Sequence, residues 1–160
     1  IIHARKAWLK GLSPKQNREV PPLQYDLVYR LKKLFPQTEM IINGGIKTLD
    51  QCDQHLQQMD GVMLGREPYA NRYMLATVDA KIFGESSLLI PDRRQILHNF
   101  YPYLESRLQR GMKLSNVIRH IIGLYHGQPN GRLWRRYLSE HAYKKGAGIE
   151  VIEQAALLVS

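Results

Sequence analysis

The most informative part of this chain is Asn43-Gly44-Gly45-Ile46, followed about twenty residues later by Gly61-Val62-Met63-Leu64-Gly65-Arg66. Residues 39–42 lead into the first piece as a short apolar run, and residues 61–64 form a second such run. Each is typical of a buried strand that ends in a glycine turn. Residues 47–59 between them have helical character. Strand, helix and strand in this order predict a parallel βαβ unit.

The carboxyl ends of two such strands make a suitable site for a phosphate group. Glycine lets backbone N–H groups approach the anion, and Arg66, directly after the second strand, adds a forked cation. The loops after the last two strands of a (β/α)8 barrel have this role. Two tight turns without a ligand are the alternative, and they are the ordinary explanation of a lone Gly-Gly pair. The two pieces at this spacing favour phosphate binding.

The flanking segments extend the parallel sheet on its amino-terminal side. Residues 1–5 predict a short inner strand, residues 6–22 a long loop, and residues 24–35 an amphipathic helix that Pro36 ends. Three strands cannot close a barrel or cover their own edges, so we expect preceding strands to be missing from this sequence. The predicted fold class is α/β, the C-terminal part of a (β/α)8 barrel.

After Gly84 the strand signals stop and an all-α helical bundle is predicted. Four segments have helical patterns: 93–109, 114–125, 133–144 and 149–158. Asp92 and Ser115 occupy cap positions. Glycines at the expected helix ends are Gly111, Gly127 and Gly146. The predicted domains are therefore 1–86 and 87–160.

The composition narrows the function. Net charge is +9, divided as +4 over residues 1–24, −1 over 25–90 and +6 over 91–160, and this distribution favours a polyanion partner over solubility alone. No signal segment or apolar run of transmembrane length is visible, and with a single cysteine, Cys52, we expect a cytoplasmic protein without disulfides. Cys52 has acidic neighbours and is predicted to be structural. The histidines show no ligand spacing, so no metal is predicted.

Five stretches of the chain resemble the bacterial tRNA-dihydrouridine synthases, and the A subfamily most closely. The most specific is the run His3-Ala4-Arg5-Lys6-Ala7-Trp8 within residues 3–15. The other stretches are 17–23, 43–47, 60–66 and 131–140. The likeness extends along nearly the whole chain, although the Asn-Gly-Gly and Gly-Arg pieces alone are common to many flavin barrels.

The resemblance implies an FMN-binding TIM barrel followed by a helical tRNA-binding domain, of which this chain is the C-terminal half. It implies FMN-dependent reduction of uridine to dihydrouridine in tRNA, with NADPH as reductant and a monomeric full-length protein. The implied flavin ligands are His3, Asn43, Gly44, Gly45, Gly65 and Arg66. The implied tRNA contacts are Lys15, Arg18, Arg132 and Arg135. The family's catalytic cysteine and a flavin-holding lysine lie upstream, and Cys52 does not match that motif, so the isolated chain is expected to be inactive.

Each of two residues at or after the end of the first predicted strand, Arg5 and Trp8, has two alternative roles. Arg5 is two residues after His3, on the same side of the strand, and is predicted to contact tRNA or the uracil carbonyls, with an ion pair as the alternative. Trp8 lies among basic loop residues and is predicted either to stack on a base or to pack the loop. Two other functions remain open for the chain, a noncatalytic RNA-binding fragment and a small-molecule FMN oxidoreductase.

Overall fold

The computed structural model describes residues 1–85 and 89–159. The chain forms two compact units, residues 1–67 and 68–160. This division lies earlier in the chain than the predicted boundary between residues 86 and 87. The predicted boundary itself falls within residues 86–88, which lie outside the described ranges.

The earlier division has a physical cause in the segment that follows residue 67. The ring of Tyr73 packs against the buried core of the second unit. Arg72 donates a hydrogen bond from Nη2 to the backbone oxygen of Arg119 at 2.7 Å. These contacts attach the segment to the helices after it, although it follows the strands directly in sequence.

The first unit alternates strands and helices as predicted, with shorter bounds and one extra helix in the long loop. Its elements are β1 (Ile2–His3), α1 (Pro14–Asn17), α2 (Tyr25–Leu34), β2 (Ile41–Asn43), α3 (Leu49–Leu56) and β3 (Gly61–Met63). The strands are parallel in the order β1-β2-β3. His3 lies opposite Asn43, and Asn43 lies opposite Met63. The carboxyl ends of all three strands therefore meet at one edge of the sheet.

Apolar packing and one ion pair at the amino ends of β2 and β3 stabilise the sheet. Ile42, in the central strand, is fully buried. Lys32 of α2 lies 2.7 Å (Nζ to Oδ2) from Asp60, and the same oxygen accepts a hydrogen bond from the backbone N–H of Met40 at 2.7 Å. The hydrogen bond from Lys32 lowers the pKa of Asp60. These contacts tie α2 to the starts of β2 and β3.

All regular elements among the described residues of the second unit are helices. The first, α4 (Glu67–Ala70), begins one residue before the unit does. The others are a 3-10 helix (Arg72–Thr77), α5 (Val78–Ile82), α6 (Arg93–Gln109), α7 (Leu114–Ile118), α8 (Gly131–His141) and α9 (Ile149–Leu157). Trp134 and Leu138 of α8 are fully buried at the centre of this core. Asp92 caps α6, as predicted, by accepting a hydrogen bond from the backbone N–H of Gln95 at 2.8 Å.

The predicted helix 114–125 was too long, and Ser115 is not its cap. Regular helix ends at Ile118, and Ser115 is buried inside α7, whose N-cap is Lys113. Beyond it the backbone continues in three-residue turns, in which the N–H of Ile121 donates to Ile118 O at 3.0 Å and the N–H of Leu124 donates to Ile121 O at 2.9 Å. The carbonyl of Arg119 accepts a hydrogen bond from Arg72 Nη2 at 2.7 Å, so it bonds a side chain where a continuing helix would supply a backbone N–H four residues on.

Candidate functional site

The carboxyl edge of the sheet brings together the predicted ligands of the first unit. His3 and Asn43 end neighbouring strands in register. The backbone N–H of Arg5 donates to His3 Nδ1 at 3.2 Å. In neutral His3 the proton is therefore on Nε2, which makes that nitrogen a hydrogen-bond donor. The strand ends thus offer an imidazole N–H beside a side-chain amide.

The Gly44–Gly45 turn continues directly from β2. Both glycines have left-handed backbone angles, with φ of 120° and 72°. A Cβ on Gly45 would lie 2.6 Å from Leu23 Cδ1, and one on Gly44 would lie 3.1 Å from His3 Cε1. The turn therefore requires glycine for its own conformation and packing, in addition to any approach of a ligand.

Gly65 and Arg66 form the matching turn after β3. A Cβ on Gly65 would meet no atom within 4 Å, so its backbone faces open space. The guanidinium of Arg66 is exposed and lies 3.2 Å (Nη1 to Oε1) from Glu19, whose side chain is also exposed. An exposed ion pair of this kind contributes little to stability and opens easily. Arg66 is thus a cation available to an anion at the strand ends.

Arg5 fastens the long loop to the end of β1. Its Nη1 donates to the backbone oxygens of Glu19, at 2.8 Å, and Pro21. The ion pair considered for Arg5 is replaced by these backbone contacts. Its Nε is buried and has no hydrogen-bond partner among the described residues. Its role toward tRNA stays a prediction.

The loop 6–22 has its own scaffold. Ser13 and Gln16 form a reciprocal capping box around α1. The side chain of Asn17 makes two hydrogen bonds of 2.8 Å to the backbone of Trp8, and Trp8 is 45% exposed. Lys15 and Arg18 are exposed and three residues apart, hence neighbours on one face. The predicted tRNA contacts of the loop therefore lie on an ordered surface.

In the second unit, Arg132 and Arg135 lie on the exposed side of α8. Both line an open pocket of about 550 Å³ at the start of that helix. The burial of Trp134 and Leu138 turns the opposite side of α8 inward. Arg136, the residue after Arg135, does not line this pocket, and its Nε lies 3.9 Å from Glu140 Oε1. Arg132 and Arg135 thus form a pair distinct from Arg136.

Sequence reasoning missed the residues that support the strand ends from other parts of the chain. Glu19 faces Arg66 across 47 residues of sequence, and the hydroxyl of Tyr25 donates to Gly44 O at 2.6 Å. Separations of this size leave no periodic signal in a sequence. Cys52 is buried in α3 and does not belong to a strand end.

Residues 1–85 and 89–159 contain neither a metal-binding cluster nor a membrane-spanning helix. No cluster of three or more His, Cys, Asp or Glu side chains in these ranges is arranged to hold a metal ion. None of the helices in the same ranges is both long and apolar enough to cross a membrane.

Comparison with known proteins gives a family match along nearly the whole chain. The family model described as dihydrouridine synthase (Dus) matches residues 1–159. The tRNA-dihydrouridine(20/20a) synthase of Shewanella oneidensis is 56% identical over 155 residues, 97% of this chain and 46% of that protein. Proteins of the same name in Escherichia coli K12 and Vibrio vulnificus are 55% identical over 100% of the chain and 53% over 96%, covering 46% and 47% of their own lengths. The chain spans about half the length of the curated relatives it matches.

Proposed function

Since the chain belongs to the dihydrouridine synthase family, we propose that its parent protein reduces uridine to 5,6-dihydrouridine in tRNA, with FMN as cofactor and NADPH as reductant. The observation that carries this proposal is the convergence of His3, Asn43-Gly44-Gly45 and Gly65-Arg66 at one edge of a parallel sheet. The relatives' printed name specifies 20/20a, so we further propose uridines 20 and 20a as targets.

The residues at the strand ends fit the phosphate of FMN. Gly45 is exposed, has a left-handed backbone and donates no backbone hydrogen bond to the described residues. Gly65 faces open space and Arg66 brings a fork of N–H donors. Backbone N–H groups beside a guanidinium are the donor set that a phosphate dianion prefers.

When bound, FMN supplies the hydride that the uracil ring receives. His3 offers its Nε2–H to a flavin or uracil oxygen, and Asn43 offers a side-chain amide at the neighbouring strand end. Lys15 and Arg18 hold the tRNA backbone from the loop. The proton that completes the reduction comes from a cysteine outside this chain, since buried Cys52 lies in α3 rather than at the strand ends.

We propose that β1, β2 and β3 are the last three strands of a TIM barrel and that residues after the barrel form the helical tRNA-binding domain. Among the described residues β1 and β3 each pair on one side only. An open pocket of about 290 Å³ lies between β1 and α2, lined by apolar residues that include Ile2 and Leu31. An uncovered edge of this kind is satisfied when a barrel closes.

Arg132 and Arg135 supply the contact of the helical unit with tRNA. Their paired positions at the start of α8 suit a phosphate between them. The parent protein is proposed to be a cytoplasmic monomer.

The test uses the full-length protein and tRNA transcribed without modifications. We expect the purified protein to carry flavin and, with NADPH, to add two hydrogens to uridines of the transcript, measured by mass spectrometry of nuclease fragments. Flavin-loaded protein that binds the transcript without reducing it would favour the noncatalytic alternative. Reduction of a small enone with no affinity for tRNA would favour the small-molecule oxidoreductase.

Residues 1–160 alone are expected to purify without stoichiometric flavin. Part of the proposed pocket, including a lysine, lies outside the chain, and the open edge of β1 exposes apolar surface. Flavin absorbance of the isolated chain, set against the full-length protein purified in parallel, measures this. Equimolar FMN on residues 1–160 would contradict it.

A further inference from the structure

The hydroxyl of Tyr25 contacts the turn after β2. It donates a hydrogen bond to the backbone oxygen of Gly44 at 2.6 Å, and it lies 3.3 Å from the place that a Cβ on Gly45 would occupy. Tyr25 is the first residue of α2, which puts it outside the strand ends themselves. Its hydroxyl thus supports the turn from a separate element.

The ring of Tyr25 is held in place by a buried histidine. His55 of α3 is 6% exposed and meets the Tyr25 ring edge to face, with centroids 4.6 Å apart. The hydroxyl of Tyr29, one turn further along α2, lies 2.6 Å from His55 Nδ1. Burial lowers the pKa of His55 and raises the pKa of Tyr25, so both are neutral near pH 7. Tyr25, Tyr29 and His55 form one cluster that joins α2 to α3.

The backbone fixes the start of α2 relative to the same strand ends. The N–H of Gln24 donates to Ala4 O at 2.7 Å, and the N–H of Ala4 donates to Asn43 O at 2.8 Å. Tyr25 therefore approaches the Gly44–Gly45 turn from a position set by β1 and β2.

The peptide between Gly44 and Gly45 is trans, as are all peptides described. In a trans peptide the C=O and the following N–H point in opposite directions. Holding the Gly44 oxygen toward Tyr25 therefore directs the Gly45 N–H away from Tyr25. Gly45 is an exposed residue, and its N–H is one of the donors assigned above to the phosphate.

We propose that Tyr25 is a positioning residue for the flavin phosphate, acting through its hydrogen bond to the Gly44 carbonyl. This inference rests on the proposed FMN site. Without the bond, the two glycines have wide conformational freedom, and the Gly45 N–H is no longer preset for the anion. The effect is specific to the phosphate, because Tyr25 orients the turn and not the ring-binding residues.

The test compares FMN with riboflavin, which has the same ring without the phosphate, in the full-length apoprotein. Tyr25→Phe keeps the ring against His55 and removes only the hydroxyl. We expect it to weaken FMN binding about threefold to tenfold, the range for one lost hydrogen bond, and to leave riboflavin affinity unchanged. Tyr29→Phe is the matched control, since it removes a hydroxyl from the same cluster without touching the turn. It should leave both affinities unchanged.

The outcomes separate the inference from the proposed function. Wild-type protein that binds FMN no better than riboflavin contradicts the phosphate site itself. If the wild-type protein prefers FMN but Tyr25→Phe weakens the binding of neither flavin, or weakens the binding of both equally, Tyr25 does not position the phosphate. Equal FMN losses in Tyr25→Phe and Tyr29→Phe would show general loosening of the cluster and overturn this role too. Should Tyr25→Phe not fold, His55→Gln, which removes the ring that seats Tyr25, decides by the same FMN-to-riboflavin ratio.

Discussion

Arg66 is the residue on which the phosphate assignment depends most directly. Its side chain is exposed, and its partner in the structure is the exposed carboxylate of Glu19 at 3.2 Å. The guanidinium of Arg66 therefore already pairs with an anionic oxygen in this structure. Because both groups face solvent, the pair costs little to open when a phosphate takes its place.

Arg66→Ala in the full-length protein should weaken FMN binding by about 1.5–3 kcal/mol, because a charge-assisted contact to the phosphate is lost. Flavin fluorescence during titration of the apoprotein measures the affinity. Glu19→Gln is the control, because it removes the ion pair while it keeps the guanidinium, and it should leave FMN affinity at or above the wild-type value. Unchanged affinity in Arg66→Ala would mean that the phosphate binds elsewhere.

Gly45 and Gly65 offer a matched pair of substitutions. Gly45→Ala should destabilise the folded protein by about 1–2 kcal/mol, because an alanine at φ of 72° is strained and its Cβ would also displace Leu23. Gly65→Ala adds a methyl group in open space and should change stability by less than about 0.5 kcal/mol. Urea unfolding of both variants measures the difference. Equal losses would show that φ at Gly45 is not what makes glycine necessary there.

At the scale of elements, local signals predicted the strands and most helices well. The cap at Asp92 and the end of α2 before Pro36 were readable because caps and proline act on the nearest residues. The helix predicted to Tyr125 stops at Ile118, next to Arg119, whose carbonyl accepts a hydrogen bond from Arg72, 47 residues away in sequence. For the candidate site, the glycines and Arg66 were visible in the sequence, whereas the supports from α2 and the loop depend on folding.

The buried His55 makes the contact between α2 and α3 sensitive to pH. Burial lowers its pKa below the unfolded value of 6.5, so below that pH the unfolded chain binds more protons than the folded one. Its contribution to stability is therefore complete above pH 6.5 and is lost as the pH falls through the folded pKa. The groups it faces are the hydroxyl of Tyr29 and the ring of Tyr25, both neutral there.

We expect urea unfolding of the full-length protein to show a loss of stability between pH 7.5 and 5.5 that is smaller in His55→Gln. His126→Gln, an exposed position in the second unit, controls for the removal of a histidine elsewhere. The comparison uses the change with pH within each variant, since His55→Gln also lowers stability at every pH. If the stability of His55→Gln falls with pH as steeply as that of the wild-type protein, His55 is not the source of this pH dependence.

Across the whole chain, net positive charge is concentrated in the segments proposed to contact tRNA. Residues 1–24 carry net charge +4 and residues 91–160 carry +6, whereas the segment with two of the three strands is nearly neutral. The loop 6–22 contributes Lys15 and Arg18, and α8 contributes Arg132 and Arg135. Phosphate contacts at such positions orient a nucleic acid without reading its sequence.

Replacing Arg132 and Arg135 by alanine in the full-length protein should weaken tRNA binding and reduce its salt dependence by roughly one to two units of slope, because up to two phosphate contacts are lost. Flavin content should not change, since the flavin ligands belong to the other unit. The matched control compares the single variants Arg136→Ala and Arg135→Ala. Arg136 pairs with Glu140 and does not line the pocket at the start of α8, whereas Arg135 lines it. Titration of tRNA at several salt concentrations measures affinity and slope together. Wild-type affinity and slope in the double variant, or equal losses in the two single variants, would show that this pocket does not bind tRNA.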